Sequence, residues 1–234
     1  MKSKTSRKAR FLLQFFYMSQ KQMMTGAPKL VDGVEGYSEG FRNRVHRFGM
    51  RKLLDGSHFG GDFASWEAQR RDGAAFISKP GTILDFGCAN GFLLACYQEW
   101  SGVDLEAFGV DSDEALVNAA RELFVDTAKD HFFSPSQDDY EKIPKRFDYA
   151  FWNVWDNAEF SESKNRMILD ELLNRTKGGR TILGFYHPDP SVNKRKLAWL
   201  SEHGYAISEA KTSSNGHIFA AINVPADDDG VPTV

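Results

Sequence analysis

Thr82-Ile83-Leu84-Asp85-Phe86-Gly87-Cys88-Ala89-Asn90-Gly91 decides the fold of this chain. A short aliphatic and β-branched run ends in an acid, a glycine-punctuated turn follows at once, and Phe92-Leu93-Leu94-Ala95-Cys96-Tyr97-Gln98 continues as a helix start. Strand, tight loop and helix form the unit with which α/β proteins hold nucleotide-like ligands at the carboxyl end of a strand. Gly87, Ala89 and Gly91 are small enough to let backbone amides approach a ligand closely. Asp85 either serves such a site or caps the turn.

The spacing separates two versions of this loop. A dinucleotide fingerprint needs glycines at relative positions one, three and six. Those positions hold Gly87, Ala89 and Phe92, and a phenylalanine at the third blocks close helix–strand packing. The alternative, acid-x-Gly-x-Gly-x-Gly, is met by Asp85, Gly87, Ala89 and Gly91 with one Gly-to-Ala departure. That pattern resembles the first motif of class I S-adenosylmethionine-dependent methyltransferases. Ala89 is compatible with it if its φ is negative, although its methyl crowds a ligand lying directly on it. The resemblance implies that Asp85, Gly87, Cys88, Ala89, Asn90 and Gly91 form part of a cofactor site.

Ala107-Phe108-Gly109-Val110-Asp111 is a second apolar run ending in an acid, 20 residues beyond Gly91. A carboxylate at that distance accepts ribose hydroxyls in nucleotide folds. Ser112 reads as the N-cap of the next helix, and Asp111 and Asp113 either serve a ligand or merely cap that helix. A fainter third strand lies at His131–Ser134. After it, Asp139 and Ile143-Pro144 match the acid and Leu-Pro of the family, which assigns Asp139 to the adenine amino group. Asp139 is otherwise a solvated loop charge.

The remainder alternates in the same way. A fourth strand runs from Arg146 to Asn153, a helix from Asn165 to Arg175 closes at Gly178, and Thr181 to Tyr186 is a fifth strand. A further helix spans Asn193 to His203. Tyr205–Lys211 and His217–Val224 are strands joined through Asn215-Gly216, a hairpin signal. Alternation of this kind implies a mostly parallel sheet. With the resemblance, which covers residues 80–224, it implies a three-layer Rossmann-like α/β sandwich with a seven-stranded sheet ending in an antiparallel hairpin.

Four regions are expected: a basic extension over 1–36, a helical lid over 37–79, the cofactor-binding domain over 80–224, and a polar tail over 225–234. At 234 residues and 41% hydrophobic the chain suits one globular α/β domain with an appendage. The net charge is −3, although residues 1–31 hold seven Lys or Arg and no Asp or Glu. Within them Phe11–Met18 is too short to span a bilayer. Residues 1–24 are open to three readings: a basic helix on an acidic membrane surface, an acid-free organellar targeting segment, or a lid helix. Met23 or Met24 is a further candidate start. Cys88 and Cys96 are not spaced for a metal and read as buried thiols of a reducing, cytoplasmic compartment. No metal is expected.

In the lid, Tyr37, Phe41, Val45 and Phe48 recur at helical spacing with Arg42, Arg44 and Arg47 between them as a solvated face, and Asp62 to Ile77 reads as one helix. The family closes its cleft with such helices, and an Arg or Tyr from them meets the cofactor carboxylate. Candidates beyond strands four and five are Asn153 for the cofactor, and Trp152, Trp155, Asp156 and Tyr186 for the methyl acceptor. The tryptophans either stack on a planar substrate or pack the rim. His187 is the candidate base, since imidazole titrates near neutrality, but before Pro188 it equally shapes a turn. Asn153-Val154-Trp155-Asp156 stands where amino-methylating DNA enzymes carry Asp/Asn-Pro-Pro-Tyr/Phe, and the catalytic region is acidic. The expectation is therefore methyl transfer from S-adenosyl-L-methionine to O or N of a small molecule, with no nucleic-acid partner. The alternatives are a cofactor-binding protein without chemistry and an NAD-dependent dehydrogenase.

Overall fold

A computed structural model describes residues 33–134 and 141–226. The chain divides into a leading unit, Met1–Gly36, and a single body from Tyr37 onward. Asp139 and the basic, apolar stretch before residue 33 lie outside the described residues, as do residues 227–234 of the tail.

The body begins with helices α1 (Glu39–Phe48), α2 (Met50–Gly56) and α3 (Phe63–Arg70). Ser38 caps α1 by accepting from Phe41 N, and Asp62 caps α3 by accepting from Ser65 N. The helix expected over 62–77 changes at Arg71 into a 3₁₀ segment, Arg71–Phe76. Within it Gly73 packs so closely that a Cβ there would clash with Tyr97 Oη and lie 2.8 Å from the Phe219 ring. The tighter winding brings this backbone onto α4 (Phe92–Trp100). The arginine face of α1 is only partly solvated. Arg44 lies over Phe124 and donates to Gln98, while Arg47 pairs with Asp126.

Strands β1 (Gly81–Phe86), β2 (Leu105–Val110), β3 (Phe132–Phe133), β4 (Tyr149–Val154), β5 (Arg180–Phe185), β6 (Ile207–Thr212) and β7 (Ile218–Asn223) form one sheet in the order β3-β2-β1-β4-β5-β7-β6. All neighbours are parallel except β7, which runs antiparallel to β5 and β6. The central strands are apolar on both faces because helices cover both. Side-chain parity sorts them: Ala150, Trp152 and Val154 of β4 join Leu169 and Leu172 of α6 (Ser163–Arg175) and Leu200 of α7 (Pro190–Glu202) in one cluster. Phe151 points the other way, edge-on to Tyr97 of α4 at 5.1 Å between centroids.

Helix α5 (Glu114–Leu123) starts one residue later than the sequence implies. Asp113, rather than Ser112, is its N-cap and accepts from Ala115 N and Leu116 N. Gly178 and Gly204, after α6 and α7, both take positive φ, 83° and 86°. The β6–β7 connection turns at Gly216, φ 82°.

Candidate functional site

The order of strands reverses between β1 and β4, and the crevice outside their carboxyl ends is where open α/β sheets place ligands. A cavity of about 570 Å³ lies there, lined by Ser57, His58, Arg70, Phe86, Gly87, Ala89, Val110, Asp111, Ser112, Asp113, Leu116, Asn153 and Trp155. Among the residues singled out from the sequence, Gly87, Ala89, Asp111, Ser112, Asn153 and Trp155 meet in it.

Its first wall is the β1–α4 loop. Gly87 N and Cys88 N both donate to Val110 O, at 2.8 and 3.0 Å. Ala89 N donates to Asp111 Oδ2 at 2.8 Å, and Asp111 Oδ1 accepts from Asp113 N at 2.9 Å. The carboxylate therefore joins the ends of β1 and β2, yet of its four or so acceptor sites only two are taken. Ala89 has φ +49°, contrary to the negative value a methyl prefers; the tether to Asp111 holds it in the left-handed region against a cost of about 1 kcal/mol. Gly91, φ 75°, is required twice over, because a Cβ there would also press on Ala120, Phe124 and Phe132 at 3.2–3.3 Å.

Three neighbours of this loop are set differently from what the sequence suggests. The Cys88 thiol turns away from the cavity into the hollow above Gly109, where a Cβ would lie 2.6 Å from Sγ, and burial pushes its pKa up. The Asn90 side chain points into the lid, donating to Leu53 O at 2.8 Å and accepting from Ser57 Oγ at 2.7 Å. Asp85 lies behind the loop, 2% exposed, with Oδ1 unpartnered. Burial first, and the charge of Asp111 second, raise its carboxyl to about 8.

The opposite wall comes from the ends of α3 and β4. Arg70 is 7% exposed, its guanidinium lying 3.8 Å from the Trp66 ring centroid, with Phe59 and Tyr186 at 4.9 and 5.0 Å. Nε has no partner, and Nη1 meets only Gln69 Oε1 at 3.4 Å. Burial lowers its pKa, and no acid pairs with it among the described residues. A buried cation without a counter-charge is a costly arrangement that an incoming anion relieves. Beneath it the hydroxyls of Tyr97 and Tyr186 are buried within reach of one another, and burial raises both.

The remaining candidates fall outside the cavity lining. Trp152 is fully buried on the α6 face of β4, packed edge-on against Phe160, so it is core and not an acceptor contact. Tyr186 points with the opposite parity, behind Arg70. The Asp156 side chain is exposed and its carbonyl is taken by Lys196. His187 shapes a turn: its Nδ1 accepts from Asp189 N at 3.0 Å, and Asn193 holds both its N–H and its C=O. Ser57, His58, Arg70 and Leu116 escaped sequence reasoning. Only Arg70 belonged to a class of residue that had been sought in the lid, and nothing in its local sequence sets it apart from Arg42 or Arg71.

No protein-family model matches the sequence, and no curated protein matches it. Solved structures do match the fold. A methyltransferase from Haloferax volcanii, solved in complex with the Trm112 methyltransferase activator, superposes with a TM-score of 0.54 over 80% of this chain and 98% of its own, at 14% identity. The strand order and the loop between β1 and α4 agree with that likeness. The fold is that of the class I methyltransferases. A SAM-dependent methyltransferase from Aquifex aeolicus gives a TM-score of 0.51, covering 69% of this chain and 93% of its own at 19% identity. The ribosomal protein L11 methylase of Lactobacillus delbrueckii subsp. bulgaricus gives 0.50, covering 71% and 81% at 16% identity. Within this methyltransferase fold the cavity occupies the crevice beside the first-motif loop. No helix among the described residues is long and apolar enough to cross a membrane, and none of them form a metal-binding cluster.

Proposed function

We propose that the chain is an S-adenosyl-L-methionine-dependent methyltransferase whose cofactor occupies the cavity between the β1–α4 loop and Arg70. One observation carries this reading: the cavity is bipolar. Asp111 stands at one end with acceptor capacity to spare, and a buried, unpaired guanidinium stands at the other. Ribose hydroxyls suit the first, and an amino-acid carboxylate suits the second, where its bond to Arg70 would be charge-assisted. A volume of about 570 Å³ is in the range of pockets for ligands of this size.

The cofactor, when bound, supplies an activated methyl group, so the protein's share is binding, alignment and exclusion of water. Asp111 orients the ribose end, Arg70 fixes the amino-acid end, and Asn153 and Trp155 border the space left for an acceptor. His58 is the one imidazole among the described residues lining the cavity. An acceptor that is already nucleophilic, an amine or phenolate of a small molecule, would need no base from the protein. The fold itself is shared with a ribosomal protein methylase, so protein and RNA acceptors enter the test as rival outcomes.

Calorimetric titration with S-adenosylmethionine, S-adenosylhomocysteine and NAD decides the cofactor. Micromolar binding of the two sulfur compounds and none of NAD is expected. The reverse pattern makes the chain a dehydrogenase, and binding of neither by folded protein removes the methyltransferase reading. Transfer of labelled methyl to a panel of small amines, phenols and alcohols, run beside RNA and ribosomal protein, then identifies the acceptor class. Binding without transfer to any of them marks a non-catalytic binder.

A further inference from the structure

Helix α7 turns two polar side chains into the protein one turn apart, Asn193 and Lys196, both essentially inaccessible to solvent. Asn193 is fully employed on the β5 side: it accepts from His187 N at 3.0 Å and donates to His187 O at 2.9 Å and Gly216 O at 3.1 Å. Lys196 works on the β4 side. Its Nζ donates to Trp155 O at 2.9 Å and Asp156 O at 3.0 Å, the carbonyls of two consecutive residues just past the strand. Burial pushes its pKa down, and Glu159 and Asp156 oppose that shift from a distance.

A buried ammonium is expensive, and an apolar side chain of the same length would fill the space without that cost. What the amine adds is a fixed peptide. Trp155 O receives a second bond from Ala158 N at 2.9 Å, so the backbone at Trp155 is pinned from two directions. The side chain carried by that backbone is unusual. Trp155 is one of the few large apolar residues left exposed, at 45%, and it lines the cavity. Its Nε1 lies 3.6 Å from where a Cβ on Gly87 would be, ordinary van der Waals distance, so the indole lies directly against the glycine loop at the cavity wall. An edge contact to Trp152 and a tilted contact to Phe86, at 5.6 and 6.3 Å between centroids, brace the ring further.

We propose that Lys196 is a positioning residue of the cavity: by anchoring the Trp155–Asp156 carbonyls it holds the Trp155 indole against Gly87 in the cavity wall. Its consequence for cofactor affinity rests on the methyltransferase reading; its consequence for Trp155 does not. The two are separated by ¹⁹F NMR of protein labelled with 5-fluorotryptophan, which gives one resonance for each of the 5 tryptophans, Trp155 being assigned through Trp155→Phe.

In Lys196→Met the Trp155 resonance is expected to shift or broaden in the free protein, while those of Trp66 and Trp100 stay in place. S-adenosylhomocysteine affinity is expected to fall about 10-fold, or 1.4 kcal/mol. Lys196→Arg keeps N–H donors and is expected to restore both. Lys196→Gln, with one amide donor group, replaces the Met variant if that fails to fold. An unmoved Trp155 resonance overturns the proposal, as does movement of all five together, which marks a lysine that serves only general stability. If the wild-type Trp155 resonance ignores saturating S-adenosylhomocysteine, the cofactor reading fails, and the free-protein spectra still decide the role of Lys196.

Discussion

The two walls of the cavity are built by different means. On the β1–β2 side every bond is short in sequence or runs between adjacent strands: Gly87 and Cys88 to Val110, Ala89 to Asp111, Asp111 to Asp113. On the β4–β5 side the groups that matter arrive from far away. Lys196 reaches back 40 residues to Asp156, and Arg70 comes from the lid to lie against Tyr186. The first wall is a backbone device that a short motif specifies. The second is assembled from side chains whose meaning exists only after folding.

Four substitutions probe this contrast, taken from the largest expected effect to the smallest. Asp111→Ala removes the tether on Ala89 and, on the function proposed above, the acceptor for the ribose, each a charge-assisted bond worth about 1.5–3 kcal/mol. Affinity for S-adenosylhomocysteine is expected to fall at least about 100-fold by calorimetry, with a lowered melting temperature. A retained affinity would move the ribose elsewhere.

Asp85→Asn tests the cost of the acid behind the loop. A carboxyl raised to about 8 keeps its proton in the folded state after the unfolded chain has lost it. The contribution of Asp85 to stability is therefore fully present below about pH 4 and is lost as pH rises through 8. The variant is expected to flatten this slope, gaining stability over the parent at pH 8 and nothing at pH 4 in denaturant titrations. An unchanged slope would mean that Asp85 is ionised with a partner.

On the opposite wall, Arg70→Met is expected to weaken S-adenosylhomocysteine about 10-fold while leaving 5′-methylthioadenosine, which lacks the carboxylate, untouched. Equal loss for both would show Arg70 to be acting through the aromatic packing instead. Folding stability should hold or rise, because the variant removes an unpaired buried cation. Last, Ala89→Gly relieves the left-handed strain and adds chain entropy to the unfolded state, for a net gain of about 0.5 kcal/mol in stability. A loss would show that the Ala89 methyl packs usefully.

The sequence made the sheet legible because each of its central strands carries its own apolar run and each is followed by a turn or cap with local chemistry. The strand order and the antiparallel β7 agree with the fold that the loop's resemblance implies. The site was legible on the motif side, where Gly87, Ala89 and Asp111 meet. On the other side, strand parity decided matters that composition could not. Trp152 and Asn153 are adjacent, but one faces the α6 core and the other the cavity. His187 drew attention through its titration range, whereas its place is fixed by Asn193, six residues on. Arg70 needed the aromatic surroundings of Trp66, Phe59 and Tyr186 to distinguish it from other arginines.

Phe92, the residue that breaks the dinucleotide fingerprint, has a consequence for how ligands enter and leave. Its ring lies in a bed formed by Phe41, Phe63 and Trp66, with centroids 5.6–6.1 Å away, and is 1% exposed. Such pairs contribute about 0.5–1.5 kcal/mol each beyond their buried area. Swinging α1 and α3 off the body as a rigid flap would break all three at once. The Ser57–Gly61 turn, which supplies Ser57 and His58 to the cavity rim, is tied to the same bed, because Phe59 packs edge-on against Trp66 at 5.3 Å and Ser57 Oγ donates to Asn90 at 2.7 Å. Opening the cavity at this rim would therefore loosen Trp66 as well, so ligand exchange is coupled to the packing of the lid helices.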